Sequence, residues 1–101
     1  MREVQVSVTW VTPDRGGRAT PVRVPRYVAI SRFDEDGPGW PDGGWSVVLE
    51  FPEGVNPSAS PVIAKAHFLV EEAPHERLVP GTTFTLHEGR KEVARVQVLQ
   101  G

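Results

Sequence analysis

The sequence predicts an all-β fold, a small closed or nearly closed β-barrel. Short segments, such as residues 4–10 and 45–51, alternate apolar and polar side chains with the period of two that a half-buried strand requires. The stretches between them are rich in turn formers. The chain has 10 Gly and 10 Pro among 101 residues, which is too many for a helical bundle. Six or seven short strands at roughly even spacing, with no convincing helix, are typical of a small barrel.

Length and composition predict one domain over residues 1–101. The absence of Cys excludes disulfides, Cys-type zinc sites and a thiol nucleophile. No apolar run approaches the ~18 residues that span a bilayer. Met1 leads directly into an alternating segment rather than an apolar signal core. We therefore expect a soluble, cytoplasmic protein that does not contact a membrane.

The first strand is predicted where alternate apolar side chains share one sheet face: Val4, Val6, Val8 and Trp10. Residues 12–21 follow with the Pro, Gly and Asp density of a loop. Two pairs of β-branched residues then predict the next strand: Val22 and Val24, Val28 and Ile30. Pro25 lies between the pairs and marks a bend or an edge, because proline cannot donate to a ladder.

A long polar loop over residues 33–44 precedes the third strand. That strand is predicted from four apolar side chains at alternate positions: Trp45, Val47, Leu49 and Phe51. We expect Trp45 to belong to the core because it alternates with Val47. Residues 52–61 return to turn chemistry.

Residues 62–72 fit two patterns. As a strand, the segment would put these side chains on one face: Val62, Ala64, Ala66, Phe68 and Val70. As a helix that starts near Ser60 and Pro61, it would form this stripe: Val62, Ile63, Ala66, Leu69, Val70 and Ala73. We expect a strand, because the flanking segments need a β partner.

The last two strands are predicted as a hairpin. Phe84 and Leu86 alternate with polar residues, residues 87–91 form the turn, and residues 92–99 form the final strand. Pro80 and Gly81 suit a tight turn ahead of it.

Three blocks of the sequence resemble the C-terminal β-barrel, the third domain, of elongation factor Tu. GGRATPV at residues 16–22 is similar to the family's GGRHTPF, and LEFPEGVNP at 49–57 to its IELPEGVEM. FTLHEGRKEVARVQVL at 84–99 is similar to FAIREGGRTVGAGVV. The blocks keep the family's order and comparable spacing over nearly the whole chain. The resemblance implies a six-stranded antiparallel barrel and a strand at residues 62–72.

The GTPase part of that factor has no counterpart here. The chain lacks a GxxxxGK[ST] phosphate loop and an NKxD motif, and Asp34–Gly37 matches DxxG without a phosphate loop to serve. We therefore expect no nucleotide and no other cofactor. The resemblance implies a stand-alone relative of a domain that packs against a neighbouring barrel and contacts the T arm of tRNA and a nucleotide-exchange partner.

Basic residues define a possible RNA surface. Residues 1–33 carry six Arg and two carboxylates, whereas residues 34–101 carry five basic and eleven acidic residues, and such asymmetry can orient a partner. The resemblance implies tRNA backbone contact at the closing hairpin, where Gly89 keeps the family's first glycine and Arg90 and Lys91 replace a Gly and an Arg. The residues that would meet phosphate are Arg18, Arg23, Arg26, Arg90 and Lys91.

Acidic residues oppose that interpretation. The loop at 33–44 carries four carboxylates where the family has a polar, neutral segment: Asp34, Glu35, Asp36 and Asp42. Near a phosphate surface they would repel RNA.

No catalytic or metal-binding constellation is evident. His67, His75 and His87 lack metal-ligand spacing, and we expect all three to be surface residues. His75 with neighbouring glutamates such as Glu71 is either a cation site or, as we expect, a solvated loop. No GxSxG elbow singles out a serine. We assign no catalytic residue and no metal ligand, and we expect that the protein is not an enzyme.

Trp40 lies in a Gly- and Pro-rich loop and has two interpretations. It is either an exposed anchor for a protein partner, since interface hot spots favour Trp, or a lid that folds back over the barrel end.

Three functions follow. The leading hypothesis is a non-enzymatic binding module that docks a protein partner on the Trp40 loop or on the face equivalent to the factor's inter-barrel contact. The second is an RNA-binding module that uses the basic residues named above. The weakest is a small hydrolase with a pocket at the barrel mouth.

Overall fold

A computed structural model describes residues 2–101 as a closed barrel of six strands. The strands are β1 (Val4–Trp10), β2 (Arg26–Arg32), β3 (Ser46–Glu50), β4 (Val62–Phe68), β5 (Thr83–Glu88) and β6 (Lys91–Gln100). Their order around the barrel is β1-β4-β3-β2-β5-β6, and every neighbouring pair is antiparallel. The prediction of an all-β, six-stranded antiparallel barrel is confirmed.

Helical structure among residues 2–101 consists of two short 3-10 turns, Pro13–Arg15 and His75–Arg77. Over the same residues, no helix has the length and apolar character that crossing a membrane would need.

The core follows the period-two alternation of the strands. In β1 the side chains of Val4, Val6 and Val8 are buried. In β4 the buried residues are those of the predicted strand face, Val62, Ala64, Ala66 and Phe68. The strand interpretation of residues 62–72 is therefore confirmed as far as Phe68, whereas Val70 lies beyond the end of β4 and is exposed.

The second strand differs from the sequence prediction. It starts at Arg26, so Val22 and Val24 lie in the preceding connection. The backbone explains this limit: the Pro25 carbonyl accepts a hydrogen bond from the Phe51 N–H (2.8 Å), but proline has no N–H with which to continue the ladder.

The structure also corrects the prediction for Trp45. The sequence predicts a core position; the residue packs against the core cluster but precedes β3 and is only half-buried. Because β3 begins at Ser46, Trp45 lies where the chain enters the barrel, and a rim position leaves part of a large ring uncovered.

The antiparallel order sorts the charged connections to opposite ends of the barrel. Residues 11–25, 51–61 and 89–90 connect strands at one end, which we call the arginine end. Its connections contain four arginines and two carboxylates: Arg15, Arg18, Arg23, Arg90, Asp14 and Glu53. Residues 33–45 and 69–82 connect strands at the other end, the acidic end. These connections contain seven carboxylates and one cation: Asp34, Glu35, Asp36, Asp42, Glu71, Glu72, Glu76 and Arg77.

Core packing predicts a large difference between two Leu→Ala substitutions. Leu49 in β3 is fully buried, whereas Leu99 in β6 is 40% exposed. Leu49→Ala leaves a cavity and should lower the free energy of unfolding by about 2–5 kcal/mol. Leu99→Ala should change it by less than about 0.5 kcal/mol. Urea denaturation of both variants measures the difference, and equal losses would contradict this assignment of the core.

Candidate functional site

Six of the seven residues selected from the sequence lie at the arginine end. Arg18 and Arg23 are in the connection 11–25, and Arg26 is the first residue of β2. The other three form the β5–β6 turn and the start of β6: Gly89, Arg90 and Lys91. The seventh, Trp40, belongs to the connection 33–45 of the acidic end. The fold therefore brings together basic residues that are far apart in the sequence.

Two glycines fold the connection 11–25 back onto the end of β1. Gly16 has a φ of 90°, and the N–H groups of Arg15 and Gly17 both donate to the Thr12 carbonyl at 3.0 Å. A Cβ on Gly17 would lie 1.9 Å from the Val11 carbonyl oxygen, so no other residue fits there without moving the backbone. This tight return places Arg18 next to the barrel.

Gly89 has a similar role in the β5–β6 turn. Glu88 pairs with Lys91 across it, and Gly89 takes a φ of 63° while Arg90 keeps a negative φ. A positive φ at the first central residue alone is typical of a type II′ hairpin turn, which favours glycine at that position. Gly89 is therefore explained by the geometry of the hairpin.

Arg18 is held by an acidic residue 70 positions away. Arg18 Nη1 and the Tyr27 hydroxyl both donate to Glu88 Oε2, and Arg18 Nε donates to the Thr20 carbonyl (3.1 Å). The guanidinium also lies 5.6 Å from the centre of the Tyr27 ring. Arg18 is therefore a structural cation rather than one free to meet phosphate.

The same contacts shift the pKa values of Glu88 and Tyr27. Burial alone would raise the pKa of Glu88, but the hydrogen bonds from Tyr27 and Arg18 outweigh it, so the pKa lies below its ordinary value. Burial and the neighbouring carboxylate raise the pKa of Tyr27. At neutral pH the cluster therefore holds an ionised Glu88, a neutral phenol and a guanidinium.

Beside this cluster lies an apolar groove of about 310 Å³, which we call the Trp10 groove. Its lining includes Trp10, Pro13, Ala19, Pro21, Val22 and Ser60. The Trp10 backbone N–H donates to Ser60 Oγ and its Nε1 donates to the Pro57 carbonyl, both at 2.9 Å. Its ring meets Tyr27 edge to face, with centroids 5.4 Å apart. Trp10 is therefore fixed in place, and the groove is mainly apolar.

Two exposed cations lie close in sequence to residues of the groove. Arg15 and Arg23 follow the groove residues Pro13 and Val22 closely in sequence, and both are exposed. Within residues 2–101, neither belongs to an ion pair. A second depression of about 820 Å³ shares Trp10 with the groove, and its lining carries three cations and two carboxylates: Arg15, Lys91, Arg95, Asp14 and Glu92. An anionic ligand that extends from the groove into this depression would therefore meet a small excess of positive charge.

Sequence reasoning missed this groove. Trp10 alternates with Val8, which predicts a core position, and alternation does not distinguish the last residue of a strand from its middle. Here β1 ends at Trp10, and the side chain is half-buried at the barrel rim. The Pro and Gly residues at 12–21 predict a loop, but they do not indicate that this loop lines a groove.

Trp40 folds back, so its interpretation as an exposed anchor is wrong. The side chain is 7% exposed, and its Nε1 donates to the Ser31 carbonyl (2.8 Å). The ring meets His87 edge to face at 4.5 Å, and the Arg32 guanidinium lies 5.1 Å from its centre. Trp40 packs on β2 and β5 outside the main core cluster. Little of its surface is therefore available for contact with a partner.

The histidines also differ from expectation. His87 is buried, not a surface residue; its Nε2 shares a hydrogen bond with Thr85 Oγ1 (2.7 Å), and its buried Nδ1 has no partner. Burial lowers the pKa of His87. His67 is half-buried and donates from Nδ1 to the Phe68 carbonyl (2.9 Å). His75 contacts the backbone carbonyl of Glu71 at 2.8 Å rather than its carboxylate.

One cluster of metal-ligating side chains forms that sequence spacing does not indicate. Ligand atoms of Glu3, Glu50 and His67 lie within 4.8 Å of one another, because β1, β4 and β3 are adjacent in the barrel. Other contacts already engage the cluster: Lys65 Nζ lies 3.8 Å from Glu3 Oε1, and His67 Nε2 lies 3.6 Å from Glu50 Oε2. It therefore behaves as a surface charge network.

Neither a scan against protein-family models nor a search of curated proteins gives a match to this chain. The function must therefore be argued from the site itself.

Neutralising Glu88 tests the cluster that holds the arginine end. Glu88→Gln leaves Arg18 without its carboxylate and should lower the free energy of unfolding by about 1–2 kcal/mol, less than for a fully buried pair because water still reaches both groups. Glu92→Gln removes the same charge from the exposed pair with Arg95 and should cost less than about 0.5 kcal/mol. If both variants lose the same free energy of unfolding in urea denaturation, the Glu88 contacts stabilise the protein no more than an exposed ion pair does.

His87 predicts a dependence of stability on pH. Its pKa in the folded state lies below the unfolded value of about 6.5, so the unfolded chain binds the proton more readily. Its contribution to stability is complete above about pH 6.5 and falls as the pH drops below that value. The melting temperature should therefore decrease between about pH 7.5 and 5.5, and His87→Phe, which keeps a ring against Trp40, should reduce that decrease. An unchanged decrease in the variant would exclude His87 as its cause.

Proposed function

We propose that this chain is a non-enzymatic binding module that docks a protein partner in the Trp10 groove. The observation that carries the proposal is an apolar groove that adjoins a depression lined by the exposed Arg15. Interface hot spots favour Trp, Tyr and Arg in such settings, and complementary charge selects the partner. The chemistry fits an acidic peptide segment that carries a bulky apolar side chain.

The size and rigidity of the groove support a peptide ligand. Its volume of about 310 Å³ is near the lower limit of the roughly 300–1,000 Å³ pockets that enclose small molecules, and it suits one or two apolar side chains. Trp10 is held by two hydrogen bonds and by its contact with Tyr27. A floor that is ordered before binding reduces the entropy lost on binding.

The resemblance to elongation factor Tu also supports docking. The block at residues 16–22 that resembles the family contributes Ala19, Pro21 and Val22 to the groove. In that factor the third domain packs against a neighbouring barrel and meets protein partners. A relative of that domain would retain such a docking surface.

The proposal assigns no chemical step to the groove. Its two serines are engaged within the fold: Ser60 accepts the Trp10 N–H, and Ser58 Oγ contacts Asn56 Oδ1 at 2.9 Å. A hydroxyl that anchors the backbone is poorly placed to act as a nucleophile, which normally needs a base beside it.

RNA binding is the second candidate, and one observation favours it. The carboxylates of the connection 33–45 belong to the acidic end, so they do not share the end of the barrel that carries Arg23, Arg90 and Lys91. The repulsion expected from sequence is therefore weaker. Against RNA, Arg18 is bound to Glu88, and the end offers an apolar groove where phosphate contacts would need more cations.

Selection from a random peptide library tests the proposal. Peptides retained by the wild-type protein should combine Asp or Glu with a bulky apolar residue. Ala19 is exposed in the groove, and Ala19→Glu should weaken their binding at least about tenfold by adding like charge. Gln97→Glu adds the same charge on the exposed side of β6 and should leave binding unchanged.

Two outcomes would count against protein docking. One is the failure of any peptide to bind the wild-type protein better than Ala19→Glu. The other is salt-dependent retention of tRNA that is lost in Arg23→Ala and Arg90→Ala while no peptide is selected, which would establish the RNA function instead.

A further inference from the structure

The connection 69–82 presents apolar side chains and carboxylates together at the acidic end. Leu69 and Val70 are 43% and 42% exposed, and Glu71 and Glu72 directly after them are exposed as well. The Leu69 N–H donates to the Ser46 carbonyl (3.0 Å), and the Ala73 N–H donates to the Val70 carbonyl (3.3 Å). These bonds form an ordered turn, residues 69–73, which we call the Leu69 turn.

The Leu69 turn has the chemistry that the Trp10 groove fits. It offers two aliphatic side chains to an apolar groove, and two carboxylates to the exposed Arg15 and Arg23. We infer that the Leu69 turn of one molecule docks in the Trp10 groove of another, so that a second copy of this chain is the partner. The inference rests on the proposed docking function of that groove.

The contact has to form between molecules. The Leu69 turn follows β4 at the acidic end, whereas the groove lies at the arginine end. The barrel measures 30 × 27 × 21 Å and its strands are continuous between the two ends. A turn tied to Ser46 cannot cross that distance within its own chain.

The charge distribution favours the same arrangement. The connections of one end carry seven carboxylates and one arginine, and in a neighbouring molecule they face the connections of the other end, which carry two carboxylates and four arginines, one of them the Arg18 that is paired with Glu88. Molecules aligned head to tail therefore attract each other, although the net charge of −2 would make them repel at long range. A head-to-tail contact uses different surfaces on the two copies, so each dimer keeps one free turn and one free groove and can extend into a chain or close into a ring.

The association should be weak. One turn in one groove buries much less than the roughly 800 Å² per partner of a stable complex. We expect a dissociation constant on the order of 100 μM, and weaker association in about 0.5 M salt because exposed charges are screened.

Sedimentation velocity from about 10 μM to about 1 mM protein measures this association. The wild-type protein should grow beyond a dimer as its concentration rises in low salt. Leu69→Ser with Val70→Ser removes the turn's apolar contacts, and Ala19→Glu closes the groove; each variant alone should remain monomeric. Leu99→Ser removes an equally exposed leucine outside both surfaces and should associate like the wild type. All the substituted residues are exposed, and the melting temperature of each variant checks its fold.

Mixing the two monomeric variants tests the direction of the contact. The turn variant retains an intact groove, and the groove variant retains an intact turn, so the mixture should form a dimer and stop there. A wild-type protein that is monomeric at about 1 mM, or association that survives in both variants, would overturn the inference. If library peptides bind the groove while the wild type stays monomeric, the self-association fails and the docking function stands. If neither a library peptide nor a second copy binds, both the self-association and the docking function are contradicted.

Discussion

The pairing of β1 with β6 is the interaction on which the rest of the structure depends. It joins the first strand to the last, from Gln5 with Gln100 to Trp10 with Ala94, and so turns an open sheet into a barrel without free edges. In this strand order consecutive strands run in opposite directions, which constrains the connections to alternate between the two ends. That constraint, rather than any local preference, gathers the arginines of residues 15–26 and the β5–β6 turn at one end and places the acidic connections at the other.

The arginine end is organised by one carboxylate. Glu88 accepts hydrogen bonds from Arg18 and Tyr27, which belong to the connection 11–25 and to β2, and so ties that connection to β2 and β5. The contact also removes Arg18 from the set of cations available to a ligand. Structural and binding roles are therefore divided among neighbouring residues: Arg18 and Glu88 hold the loop, whereas Arg15 and Arg23 remain exposed and can be changed without breaking it.

Alternation predicted the parts of the fold that depend on local sequence, and it failed where packing between distant segments decides. It located β1 and the buried face of β4 because each inward side chain is apolar. Alternation could not predict that Trp40 and His87 are buried, since their burial depends on the 33–45 connection folding onto β2 and β5. The basic residues of the site were recognisable by type, but the groove was not: Trp10 has the pattern of a core residue, and only the end of β1 at the barrel rim leaves its ring in part uncovered.

The Leu69 turn and the Trp10 groove lie at opposite ends of the barrel. The barrel does not need Leu69 and Val70 in water, nor an apolar groove beside unpaired arginines, because its core is complete without them. Exposing both has a solvation cost that the fold alone does not recover. A partner that covers only the groove leaves Leu69 and Val70 in water, whereas a second copy in head-to-tail contact covers a groove and a turn at once. This difference favours a second copy over an unrelated acidic peptide, because the same contact satisfies the two surfaces with no further component.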